Sequence, residues 1–161
     1  MQPRIDYYKL SPGGVKAMLG LEHYLNGTGM DKKLLHLIKL RVSQINGCAY
    51  CLDMHWKDLQ AEGEDQQRMY SLDAWREAPY YSDQERAALA WAEAVTSISD
   101  GHVPDAVYEE ARQHFNEQQL ADLTLAVATI NAWNRLSIAF RVVPGTYQPA
   151  QQKLEEVRKR A

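Results

Sequence analysis

The chain has 161 residues, 45% hydrophobic and 24% charged, with a formal net charge of −3. This is the balance of a soluble globular protein large enough to bury a core in one domain, and it lacks the basic excess of a nucleic-acid binder. No apolar run approaches the roughly 20 residues of a membrane span, and the leading MQPRIDYYKLSPGG has no signal-peptide core. With only two cysteines and no export signal, a cytoplasmic location is expected.

Taken in order, residues 1–10 read as a polar and aromatic lead-in. Ser11-Pro12 is a helix start, and Val15, Met18, Leu19, Glu22 and Leu25 predict an amphipathic helix closed by Gly27 and Gly29. Asp31 opens a second helix, apolar nearly all round (Leu34, Leu35, Leu37, Ile38, Leu40, Val42, Ile45) and therefore expected to be buried, with His36 and Lys39 interrupting it. Asn46-Gly47 separates it from a helix running to about Gly63. A short helix or turn over Asp65 to Leu72 follows, then an aromatic connector through Trp75 and Tyr80-Tyr81.

Ser82 to Glu85 reads as a capping box before an alanine-rich helix ended by Asp100-Gly101. Pro104 starts a shorter helix with Val107, Ala111 and Phe115 inward. Asn116 caps the longest, about Glu117 to Val142, whose stripe of Leu120, Leu123, Ala126, Val127, Ile130, Trp133, Leu136 and Phe140 has helical spacing. Pro144-Gly145 stops it. Pro149 to Ala161 reads as a charged helical tail. No strand alternation, phosphate loop or solenoid repeat is present. The fold class is all-α, about seven helices, as one domain over 1–161 with a core at 31–142 and a tail at 145–161.

The chemistry sits in SQINGCAYCLDMHW. Cys48 and Cys51 form a C-x-x-C, and His55 follows four residues later. On a helix beginning near Cys48 all three lie on one stripe. A helix N-terminus favours a thiolate. Three readings fit: two buried structural thiols with a core histidine; a zinc site of Cys48, Cys51 and His55 with His36 or His23 as fourth ligand; and thiol redox catalysis. Ligands on successive turns of one helix form a line where zinc wants a tetrahedron. Redox catalysis uses both thiols, the imidazole and the helix start together.

LIKLRVSQINGCAYCLDMH also resembles the signature of the alkylhydroperoxidase AhpD-like, carboxymuconolactone decarboxylase-related family. The likeness continues through SDQERAALAWAEAVT and LTLAVATINAWNRLSIAFR, most of residues 31–142. It implies an all-α homo-trimer or hexamer, and the peroxidase branch is the one that keeps the cysteine pair. It further implies Cys51 as the thiol that attacks the peroxide, Cys48 as the resolving thiol and His55 as a proton relay. The helix dipole alone would make Cys48 the more acidic thiol, whereas the i+4 imidazole favours Cys51. Two positions depart from the family: His36 stands in the place of its relay glutamate, and Tyr50 in the place of a second histidine. His36 is expected to lie near His55 with its pKa below the usual 6.5 or so.

The expected activity is therefore reduction of a hydroperoxide through a dithiol–disulfide cycle, with an external dithiol or protein thiol as reductant. No cofactor or metal, and no nucleic-acid or membrane partner, is expected. The rival is a non-enzymatic redox- or zinc-responsive protein using the same motif. Trp91 and Trp133 read as core or interface aromatics, and Asn131 or Asn134 as a buried hydrogen-bonding residue. Arg41 and Arg135 read as ion-pair candidates and Glu155 to Arg160 as a solvated face. His23, His102 and His114 show no partner pattern.

Overall fold

The computed structural model describes residues 2–149, and among these it is all-α, with eight helices and no strand. They are α1 (Tyr7–Leu10), α2 (Pro12–Asn26), α3 (Lys32–Asn46), α4 (Ala49–Ala61), α5 (Gln66–Tyr70), α6 (Asp83–Thr96), α7 (Asp105–His114) and α8 (Glu117–Phe140), with a 3-10 turn at Leu72–Ala74. The charged stretch from residue 150 onward lies outside the described residues. None of the described helices is long and apolar enough to cross a membrane.

The buried helix is α3, which packs against α4, α6 and α8. Leu34, Ile38 and Val42 face one cluster with Ala88, Trp91, Leu123, Val127 and Ile130, which also holds both cysteines. Leu37 and Leu40 face another with Leu59, Met69, Leu72 and Trp75. A helix apolar on several faces is stable only when other elements cover each face, and here they do.

Most helix starts are the ones their side chains dictate. Asp31 accepts from the Leu34 amide. Ser82 and Asn116 each form a reciprocal capping box, with Glu85 and Gln119. Two helix ends and one additional helix differ from expectation. α6 stops at Thr96, before the Asp100-Gly101 turn. α8 ends at Phe140, not Val142, because Arg141 adopts a left-handed conformation (φ 56°) and its amide bonds back to Ile138 and Ser137; Pro144-Gly145 lies beyond that stop. The lead-in contains the single turn α1, capped by the Asp6 carboxylate. Four residues are too few to show a periodicity, yet Tyr7 within it is buried.

The α3–α4 junction positions the motif. Gly47 closes α3 at φ 68°, a left-handed backbone that favours glycine. Polar bonds to α8 hold this end of α3. The Asn46 side-chain amide donates to the Oδ1 atoms of Asn131 and Asn134, 2.9 Å each. Asn134, fully buried, donates in turn to Ser43 Oγ. Arg41 pairs with Glu93 at 2.7 Å, whereas Arg135 is exposed and only donates to Asn131 on its own helix. Trp91 and Trp133 are both buried.

Candidate active site

Cys48 is the residue that caps α4. It does not lie in the first turn as the spacing suggested; it adopts an extended backbone, and its sulfur accepts the Cys51 amide. Cys48 and Cys51 are joined in a disulfide with Cα atoms 5.3 Å apart, and both are buried. The two sulfurs are thus bonded to one another at the positive end of a helix.

His55 follows one turn after Cys51 and is 4% exposed. Its Nδ1 meets His36 Nδ1 at 3.4 Å, because the α3–α4 hairpin folds the two helices back on each other. Its Nε2 is buried with no hydrogen-bond partner. Asp58, one turn further along α4, puts Oδ2 3.7 Å from the Nδ1 atoms of both histidines. Its other oxygen, Oδ1, accepts the Tyr147 hydroxyl at 2.7 Å. Tyr147 is held there by its segment: Lys57 Nζ donates to the carbonyls of Gly145 and Tyr147, and the Gly145 amide donates to Asp53.

Burial dominates the electrostatics. It pushes His36 below the ordinary imidazole value, with the facing His55 adding to the effect. Burial likewise pushes His55 down, against the pull of Asp58. Both rings are neutral at pH 7. Burial alone would raise Asp58, but contact with His55, the Tyr147 hydrogen bond and the nearby His36 outweigh it and keep the carboxyl below its ordinary value. Burial, then the Asp58 contact, raises the Tyr147 phenol.

These groups border a cavity of about 620 Å³ that also touches Cys51, Tyr7, Tyr8, Tyr50, Met54 and Trp133. A separate charged contact lies on its wall. Buried Lys39 donates to Glu22 Oε2 at 2.6 Å, and Trp133 donates to Glu22 Oε1 at 3.1 Å. Lys39, which interrupts the apolar run of α3, is there as half of an ion pair.

Sequence reasoning named Cys48, Cys51, His55 and His36; the fold brings Cys51, His55 and His36 to the wall of one cavity, with Cys48 bonded to Cys51. It missed Asp58, although Cys51, His55 and Asp58 stand at i, i+4 and i+7, a spacing that continues the stripe. It missed Tyr147 for want of any local signal, since that residue arrives 89 positions later in the chain.

The sequence pattern of the Carboxymuconolactone decarboxylase family matches residues 12–94, which hold α2 to most of α6 and the whole disulfide–histidine site. The Bacillus subtilis protein YdfG, uncharacterized, is 45% identical over 139 residues, covering 86% of this chain and 95% of its own. A solved Agrobacterium tumefaciens protein of unknown function, described as a candidate antioxidant defence protein AhpD, is 42% identical with a TM-score of 0.87; the likeness covers 91% of this chain and all of that one. An uncharacterized peroxidase-related protein from Silicibacter sp. TM1040 is 26% identical with a TM-score of 0.76, over 86% of this chain and 74% of that one. The chain therefore belongs to the carboxymuconolactone decarboxylase family, among its AhpD-like proteins.

Proposed function

We propose that this protein is a thiol-dependent hydroperoxide reductase. The observation that carries the reading is the Cys48–Cys51 disulfide at the head of α4, one turn before a buried imidazole whose Nε2 has no partner, with Cys51 and His55 on the wall of one cavity. An unsatisfied buried nitrogen in a native site calls for a reason. A neutral His55 with a free lone pair is a base for a cysteine thiol. The sulfide charge left behind is favoured by the helix N-terminus.

In the reduced protein, His55 takes the Cys51 proton. The Cys51 thiolate attacks the terminal oxygen of a hydroperoxide, ROOH; the O–O bond breaks, and with one proton the products are the Cys51 sulfenic acid and ROH. The Cys48 thiol then displaces water from that sulfenic acid and restores the disulfide. An external dithiol donates two electrons and two protons to reopen it. His36 and Asp58 act through His55. Asp58 supplies, from α4, the anion that the family's glutamate would supply from position 36. Its Oδ2 orients the His55 Nδ1 edge. The assembly we infer is a homo-trimer or hexamer, supported by exposed Leu125 and Ile138 on α8.

The test is steady-state peroxide consumption with a panel of dithiols, together with mass spectrometry of the protein. Catalytic turnover accompanied by loss of two protons on oxidation supports the enzyme. Oxidation without turnover, with every dithiol tried, rejects it and leaves a redox-responsive protein.

A further inference from the structure

We propose that His36, His55 and Asp58 also form a binding site for a divalent transition-metal ion of the zinc class, distinct from the cysteine pair. The three ligand atoms, His36 Nδ1, His55 Nδ1 and Asp58 Oδ2, are separated by 3.4, 3.7 and 3.7 Å. They are the cluster of metal-ligating side chains found among the described residues. A tetrahedral ion bonded at about 2.0–2.2 Å sets its ligands about 3.3–3.6 Å apart. The observed triangle is that face of a tetrahedron, expanded by a few tenths of an ångström, about what side-chain rotation closes when an ion arrives.

The donor set fits the ion. Two neutral imidazoles and one carboxylate are the protein ligands of open zinc sites, whose fourth position is left to water or an exogenous ligand. Here that fourth position has the cavity to open into, since all three residues line it. The carboxylate is fixed in advance. Tyr147 occupies Oδ1, which leaves Oδ2 as a single ligand atom facing both rings, the kind of outer hydrogen bond that orients metal ligands. The nearby cation Lys39 is neutralised by Glu22 at 2.6 Å. Three ligands from two helices also avoid the linear arrangement that counts against zinc on the cysteines.

On the reading of His55 as the thiol's base, occupancy has a chemical consequence. An imidazole bonded to metal through Nδ1 carries its proton on Nε2, so the lone pair that would accept the thiol proton is gone. The metal-loaded protein is the inactive one.

The site is tested on the oxidised protein, without any turnover. Protein stripped with EDTA and dialysed is titrated with Co²⁺ and then with Zn²⁺. One Co²⁺ per chain is expected, with the intense visible bands of tetrahedral cobalt, displaced by Zn²⁺. Asp58→Asn and His36→Leu should each weaken binding about ten-fold or more, and Tyr147→Phe about ten-fold. Replacing both cysteines by serine should leave affinity unchanged. Helical circular dichroism is recorded for each variant. Should Asp58→Asn unfold, His36→Leu and Tyr147→Phe carry the same comparison. Failure to bind an ion stoichiometrically, binding indifferent to these variants, or binding lost with the cysteines overturns the site. None of these outcomes depends on whether peroxide is reduced.

Discussion

His36 Nδ1 lies 3.4 Å from His55 Nδ1 across the α3–α4 hairpin. A hydrogen bond between two facing Nδ1 atoms needs the proton on one ring and the lone pair on the other, which two neutral rings supply, and burial opposes charging either. Burial favours a neutral ring at position 36, and the carboxylate beside the pair is Asp58.

His36→Glu should strengthen the anionic surroundings of His55 and raise the rate of peroxide reaction at neutral pH. His36→Leu should slow it about ten-fold, less than the ~10²-fold of a group that transfers the proton itself, because His36 acts through His55. Stopped-flow oxidation of reduced, chelator-treated protein makes the comparison. If all three proteins overlay, His36 is a packing residue.

The roles of the two cysteines separate under single substitution. Cys51→Ser should abolish peroxide consumption. Cys48→Ser should react once and stop, leaving sulfenic or over-oxidised Cys51 visible as added oxygen mass. Serine at position 48 keeps an acceptor for the Cys51 amide, so the head of α4 stays capped. Sulfenate accumulating on Cys48 in the Cys51→Ser protein would reverse the assignment.

Glu93 ties α6 to α3 and to the aromatic connector. It accepts from Arg41 at 2.7 Å, Trp75 at 2.9 Å and Arg76 at 2.5 Å. Burial on its own would raise its pKa, but these three donors outweigh it and hold the carboxyl below the usual 4.5. A depressed folded value means the stabilisation is complete above the ordinary carboxylate pKa and is lost as pH falls through the depressed one. Glu93→Gln should cost about 1.5–3 kcal/mol at pH 7. The gap to wild type should shrink in strongly acidic buffer. Urea melts across pH measure it, and a pH-independent gap would mean the charge on Glu93 is immaterial.

Leu125 stands 40% exposed opposite the buried stripe of α8, and Ile138, near the end of the helix, is 46% exposed. Apolar side chains on an exposed helix face suit a subunit contact. Light scattering at micromolar concentration should give three or six chains, and Leu125→Glu with Ile138→Glu should lower that number. A stable wild-type monomer contradicts the inferred assembly.

Much of the fold was written locally. Ser82, Asn116 and Asp31 each specify a helix start through their own side-chain bond, and the stripe from Leu120 to Trp133 specifies which face of α8 is buried. The helix ends were harder. Arg141 stops α8 by adopting a conformation that nothing in its side chain advertises. At the site, the cysteine–histidine stripe was legible because its members share one helix. Asp58 extends the same stripe, yet a carboxylate on a half-exposed helix face is ordinary until a second imidazole is folded against it. The Tyr147–Asp58 and Trp133–Glu22 contacts join positions 89 and 111 residues apart, distances over which pattern and propensity carry no information.

Part of the cavity wall comes from outside the segment that carries its chemistry. Cys51, His55 and Asp58 lie within residues 12–94, the part that the family's sequence pattern matches. Tyr7 and Tyr8 come from before that segment, and Trp133 and Tyr147 from after it. Of these four, Tyr8 is 49% exposed, and an exposed side chain accepts substitution more readily than a buried one does. Substitution at Tyr8, which is exposed, can therefore reshape the mouth of the cavity while the α3–α4 hairpin and the buried stripe of α8 stay as they are.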